Sequence, residues 1–216
     1  MSRGGSDREG KPDLGFVHRY ETGSEPTTLL LLHGTGGDEN DLLALGRLLA
    51  PGAGLLSPRG RILEHGMPRF FRRLGPGVFD VEDLTAQARD LAGFVKGAAR
   101  DYKFQLDRTI AVGYSNGANI AAAMLFLRPG LISAAALLHA MVPFAPEKLP
   151  DLRSTEVLLT AGRHDPMVPA DEAERLAVLL REAGANVVLE WQSGGHELGR
   201  DEVATVQKWL TQISSR

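Results

Sequence analysis

The chain is predicted to fold as one α/β domain built on a mostly parallel, doubly wound sheet. Three observations carry that expectation. Short aliphatic runs without polar alternation recur along the sequence, the pattern of strands covered on both faces. Longer amphipathic or alanine-rich stretches separate them, as the crossovers between parallel strands require. The length of 216 residues, with 43% apolar side chains and no internal repeat, suits a single core.

Taken in order, residues 1–12 are polar, glycine-rich and charged, and are expected to form a disordered leader; residues 13–216 form the domain. An antiparallel edge strand is placed around Phe16 to Glu21. The remaining strands are Thr27 to Leu32, Gly54 to Ser57, Thr109 to Tyr114, Ser133 to His139, Glu156 to Ala161 and Asn186 to Trp191. Helices are predicted at Asn40 to Leu49, Val81 to Asp101, Asn116 to Leu127, Ala170 to Ala183 and Arg200 to Ile213. Pro51-Gly52, Pro129-Gly130 and Gly184 close three of them, because proline cannot continue a helix and glycine accepts positive φ. In such a sheet a ligand binds beyond the carboxyl ends of the strands. Every candidate site residue must therefore follow a strand.

Composition removes several classes of function. The net charge of -3, with no basic stripe between aromatics, does not describe a nucleic-acid surface. Zero cysteines exclude disulfides, thiolate chemistry and cysteine-rich zinc sites together. The longest apolar stretches, Leu29 to Leu32 and Ala134 to Leu138, are strand-sized and too short to span a bilayer, so a cytoplasmic location is expected.

The chemistry starts at Gly113-Tyr114-Ser115-Asn116-Gly117, between a strand run and a helical run. A Gly-x-Ser-x-Gly string arises by chance in roughly one chain in eight of this glycine content, so context must decide. The simpler alternative is a serine that caps the following helix. The strand-turn-helix setting instead describes a nucleophile elbow, in which small flanking residues let strand and helix backbones pass closely. Serine needs a base, and His196 in Ser193-Gly194-Gly195-His196-Glu197 follows the last strand. His33 is better suited to a structural hydrogen bond, and His18 and His65 lie in poorly defined segments. For the acid, Asp165 in Gly162-Arg163-His164-Asp165-Pro166 follows the strand before; Asp171, which better suits a helix start, is the runner-up. The order Ser, Asp, His is that of α/β-hydrolases. The loop His33-Gly34-Thr35-Gly36-Gly37 offers the Thr35 amide to join that of Asn116 as an oxyanion hole. It lacks the lysine and hydroxyl of a phosphate-binding loop.

These pieces, with Leu32 to Asp41 and Gly194-Gly195-His196, resemble the small bacterial phospholipase/carboxylesterase family of α/β-hydrolases, close to the acyl-protein thioesterase group. The resemblance covers roughly Leu14 to Ile213. It implies Ser115, Asp165 and His196 as a triad, Thr35 and Asn116 as oxyanion donors, and an arrangement compatible with a homodimer. Arg69-Phe70-Phe71-Arg72-Arg73 and Gly77-Val78-Phe79-Asp80 resemble a bacterial branch of hydroquinone-linked hydrolases. Animal thioesterase relatives carry glutamine where this chain has Asn116.

No long insertion leaves room for a lid. The irregular segments Pro58 to Gly77 and His139 to Pro150 are expected to flank the site, with Phe70, Phe71, Phe79, Met141, Val142 and Phe144 forming a small apolar pocket. Arg69, Arg72 and Arg73 read as a solvated or ion-paired face, and Asp38 and Asp41 as carboxylates near a helix start. No metal and no organic cofactor is expected. The expected activity is that of a serine carboxylesterase on small, short-acyl esters; a thioesterase or lysophospholipase with the same triad, and an idle fold that merely binds a small molecule, are the alternatives.

Overall fold

The computed structural model describes residues 14–214; the expected leader over residues 1–12 lies outside the described residues. The chain runs β1 (His18–Glu21), β2 (Thr28–Leu32), α1 (Leu43–Leu49) and β3 (Gly54–Pro58) into two hairpins, β4 (Ile62–Glu64) with β5 (Met67–Arg69) and β6 (Arg73–Gly75) with β7 (Val78–Phe79). It continues through α2 (Val81–Tyr102), β8 (Thr109–Tyr114), α3 (Asn116–Leu127), β9 (Ala134–Leu138), β10 (Glu156–Gly162), α4 (Ala170–Glu182), β11 (Asn186–Gln192) and α5 (Arg200–Ser214). Seven strands form the main sheet in the order β1-β3-β2-β8-β9-β10-β11, with only β1 antiparallel to its neighbour. This is an α/β-hydrolase fold.

Along β2, alternate leucines serve opposite faces. Leu30 and Leu32 pack in a core with residues of α2, α3 and α4, whereas Leu29 and Leu31 pack in one with α1 and α5. Both faces being covered, polar residues have no place in the run. The helix α3 is buried from Asn116 to Phe126, and its alanines at 118, 121, 122 and 123 let it lie close to the strands. On α2 the start is set by the Asp80 carboxylate, which accepts from the Asp83 amide at 3.0 Å.

Two local expectations are corrected. The segment from Pro58 to Gly77 is not irregular: its short strands are too brief to display alternation, but His65 and Gly66 take the positive φ values (52° and 79°) that a tight hairpin turn needs. Helix α1 begins at Leu43, not Asn40, because Asp38 closes a preceding turn by accepting from the Asn40 amide at 2.7 Å.

Gly117 shows how tightly strand and helix are pressed together. A Cβ built there falls 2.0 Å from the Leu32 carbonyl oxygen, and one at Gly113 falls 2.6 Å from that of Gly117. Backbone on both sides leaves no flexible partner to yield. Gly117→Ala is expected to lower stability by about 3 kcal/mol, measured by urea unfolding; a loss below about 0.5 kcal/mol would contradict the close approach.

Candidate active site

Ser115 directly follows β8 with φ 52° and ψ −114°, a backbone that non-glycine residues adopt at a cost of roughly 1–3 kcal/mol and that clusters at functional sites. Its amide donates to Leu138 O and its carbonyl accepts from Asn119 N, so the turn is fixed from both sides. The hydroxyl makes no helix cap. It donates instead to His196 Nε2 at 2.9 Å, and His196 Nδ1 donates to Asp165 Oδ2 at 2.7 Å. The tautomer follows from the carboxylate, which accepts only, so Nδ1 carries the hydrogen and Nε2 is free to accept.

Each member is held by its own loop at one rim of the sheet. Tyr114 Oη donates to the His196 carbonyl at 2.8 Å, tying the loop after β11 to the strand that carries the serine. Asp165, in the loop after β10, has its Oδ1 filled by the amides of Met167 (2.8 Å) and Val168 (3.0 Å). Asp171 takes its place in the first turn of α4, away from the hydrogen-bonded line. A hydroxyl so placed can pass its proton to the imidazole as it attacks a carbonyl, with the carboxylate steadying the resulting imidazolium.

Thr35 and Asn116 both line the cavity at Ser115. Their loops are braced by the first hairpin. Arg69 Nη1 donates to Thr35 Oγ1 at 2.6 Å, Gly36 N to Pro68 O at 2.9 Å, and Phe70 N to Asn116 Oδ1 at 2.7 Å. Among the described residues Asn116 Nδ2 is buried without a hydrogen-bond partner, and Asn116 lines the same cavity. His33 is structural as expected: Nδ1 donates to Gly34 O and Nε2 accepts from Gly60 N. Burial pushes its pKa down, in keeping with a neutral ring.

The cavity at the serine has a volume of about 60 Å³, and Thr35, Arg69, Phe79, Asn119, Met141 and Val168 are among its walls. A larger cleft of about 780 Å³ adjoins it, sharing Arg73, Gly77, Phe79, Met141 and Met167 and adding Val142, Phe144 and the start of α4. Of the pocket residues expected from sequence, Phe79, Met141, Val142 and Phe144 border these spaces. Phe70 and Phe71 do not: they are buried in the core, Phe70 against the His33 ring at 4.7 Å, because the hairpin turns both rings inward. The arginines also divide. Arg72 pairs with Asp80 at the surface, Arg73 and Arg69 both pair with Glu64, and Arg69 is buried and also lines the cavity at Ser115.

Sequence reasoning missed His139 and Glu202. His139 Nδ1 donates to the same Asp165 oxygen at 3.0 Å, and its Nε2 lies against the Glu202 carboxylate. The available signal was a histidine closing a buried aliphatic run on the ligand side; Glu202 looks like any acidic residue in a first helical turn. His139, Asp165 and His196 bring donor atoms within 4.8 Å of one another, a spacing metal ligands also show. Both Nδ1 atoms are turned to one Asp165 oxygen at hydrogen-bond distance.

Burial acts to raise the pKa of Asp165, but the bonds from His196, Met167 and Val168 outweigh it and hold the carboxyl below its usual 3.8. Such a group adds stability that is full above 3.8 and lost as pH falls through the lower folded value. His139 has the opposite sign. Burial opposes its charged form, but Glu202 and then Asp165 prevail and raise it above 6.5, so its contribution is full below 6.5 and lost as pH rises through the higher value. The Tm advantage of the natural protein over Asp165→Asn is expected to shrink below pH 3.8, and its advantage over His139→Asn to shrink above pH 6.5. Constant differences across pH 3–9 would contradict both, the range being set around the ordinary values.

Fold and site together define an ester-hydrolysing enzyme of the α/β-hydrolase class. The chain belongs to the dienelactone hydrolase family, whose model matches residues 80–205. It is 48% identical to MhqD, a protein of Bacillus subtilis (strain 168), over 89% of this chain and 96% of that one. Among solved structures it is similar to a Bacillus cereus carboxylesterase (44% identity, TM-score 0.89, 91% of this chain and 94% of that chain). A Mesorhizobium loti carboxylesterase matches at 34% identity and TM-score 0.88, over 92% and 96% of the two chains. No helix among the described residues is long and apolar enough to cross a membrane.

Proposed function

We propose that the protein is a serine carboxylesterase that hydrolyses small, short-acyl esters through an acyl-enzyme on Ser115. The observation that carries this is the unbroken line from Ser115 Oγ to His196 to Asp165 on a strained elbow. In the first half-reaction Oγ attacks the ester carbonyl and gives its proton to His196 Nε2. The amides of Thr35 and Asn116 hold the oxyanion; the imidazolium then protonates the leaving alcohol as the ester bond breaks. Water repeats the sequence on the acyl-enzyme, releasing the acid and restoring the serine. The carboxylesterase names of the Bacillus cereus and Mesorhizobium loti relatives agree with this choice of substrate class.

The small cavity at Ser115, about 60 Å³, supports a short acyl group. The larger cleft beside it suits a bulkier leaving group, which is the specific feature favouring a thioester or lysophospholipid as a second reading.

Labelling with a fluorophosphonate, read by intact mass, is expected to add one adduct per chain at Ser115; a protein that stays unlabelled while binding ligands would be an idle fold. With p-nitrophenyl esters, kcat/KM is expected to be highest at two to four acyl carbons and to fall about tenfold or more by eight, given the cost of overfilling a small pocket. A maximum at palmitoyl would reverse the chain-length assignment.

A further inference from the structure

Behind the acid of the hydrogen-bonded line stands a second imidazole. His139 follows β9, the strand inserted between those that lead to Ser115 and Asp165, and it takes a φ of 56°. Its side chain is fully buried, as are those of Asp165 and Glu202 to within 1%. Nδ1 reaches Asp165 Oδ2 at 3.0 Å, the oxygen that also accepts from His196. On the other side Nε2 lies 3.3 Å from Glu202 Oε2 and 3.2 Å from Oε1, and Oε1 accepts in turn from Thr160 Oγ1. The line thus continues past Asp165 through His139 to Glu202 and Thr160.

Counting protons shows what this extension does. A carboxylate oxygen only accepts, so both imidazoles must carry hydrogen on Nδ1. His139 then meets a second carboxylate with Nε2, so a further proton is held between that nitrogen and Glu202. The two carboxylates favour its residence on the ring, against the cost of burial. Asp165, which accepts from two imidazoles and two amides, has no free direction in which to turn.

We propose that His139, held by Glu202, is a positioning residue that clamps the ionised Asp165 through the oxygen it shares with His196 and sets the pH at which the serine line becomes active. This rests on the reading of Ser115, His196 and Asp165 as the catalytic triad. The two rings lie 5.1 Å apart between centroids. A charge on His139 at that distance opposes placing a second charge next to it, and so extends activity toward acid pH. The other titratable groups around His139 are Asp165 after β10, Glu202 of α5, His196 after β11, and Tyr114 of β8, whose ring is 6.0 Å away and feels Glu197.

The test uses the full-length protein, a neutral acetate ester, and kcat and KM measured from about pH 5 to 9, the span around the histidine value. His139→Ala is expected to lower kcat about 10–100-fold with little change in KM, as removal of an orienting partner does. His139→Asn keeps an amide donor toward Asp165 but no charge. It is expected to restore most of kcat while the acid limb of kcat/KM stays shifted upward by about half a unit or more. Glu202→Gln, an isosteric change, is expected to move the limb in the same direction. If all three variants keep the natural limb, with activity lost only in step with a lowered Tm, the residues are merely structural and the inference is overturned. Unchanged kcat in His139→Ala overturns it as well. Fluorophosphonate labelling separates the two levels: a labelled Ser115 with an unmoved limb sinks only the role of His139, whereas an unlabelled natural protein sinks the triad reading and this inference with it.

Discussion

Replacing Ser115 with alanine is expected to lower kcat by about 10⁵- to 10⁶-fold on any ester the protein hydrolyses, with Tm nearly unchanged. The size follows from what the hydroxyl supplies. Without Oγ there is no acyl-enzyme, and the acceptor nitrogen of His196, 2.9 Å away, has no nucleophile to activate. Under the proposed mechanism, what remains is the polarising effect of the Thr35 and Asn116 amides on a bound ester attacked by water, worth about 10³–10⁴ over the uncatalysed reaction. Stability should hold because alanine accepts the strained backbone no worse than serine, and Oγ contributes no helix cap that would be lost. Stopped-flow and steady-state rates on an activated acetate ester, beside a thermal melt, check both halves. A variant within tenfold of the natural rate would remove Ser115 from the mechanism.

Asp165→Asn is expected to produce the second-largest effect, a loss of about 10⁴-fold in kcat. An ionised carboxylate here accepts from four donors, two imidazole nitrogens on Oδ2 and two amides on Oδ1. An amide side chain offers one accepting end only. Whichever way it is turned, its NH₂ group faces a pair of N–H groups. If that pair is the imidazoles, His196 is driven to the tautomer with hydrogen on Nε2 and can no longer accept from Ser115. The buried mismatch should also lower stability by about 1–3 kcal/mol, measurable by urea unfolding at pH 7. Retention of more than about a tenth of the natural kcat would show that the carboxylate is dispensable.

Much of the fold was legible because its signals are local. The strand over Thr109–Tyr114 and the helix over Asn116–Leu127 lie where hydrophobic runs and glycine punctuation place them, and even the antiparallel edge near Phe16 to Glu21 is present as His18–Glu21. The two hairpins were not legible, since strands of two or three residues carry no period to detect. The same segment misled the pocket assignment. Phe70 and Phe71 sit among arginines in a stretch that reads as surface, yet the β4–β5 hairpin folds them into the core and leaves Arg69 at the cavity.

A serine on a glycine-flanked turn, and the places of Asp165 and His196 after later strands, are properties of short segments and could be read without coordinates. How those segments meet is set by strand order. Because β9 lies between β8 and β10, the residue that closes it, His139, comes to rest against Asp165, 26 residues away, and against Glu202, 63 residues away. No local periodicity encodes such a meeting; it depends on which strands neighbour one another in the assembled sheet, and only the folded chain decides that.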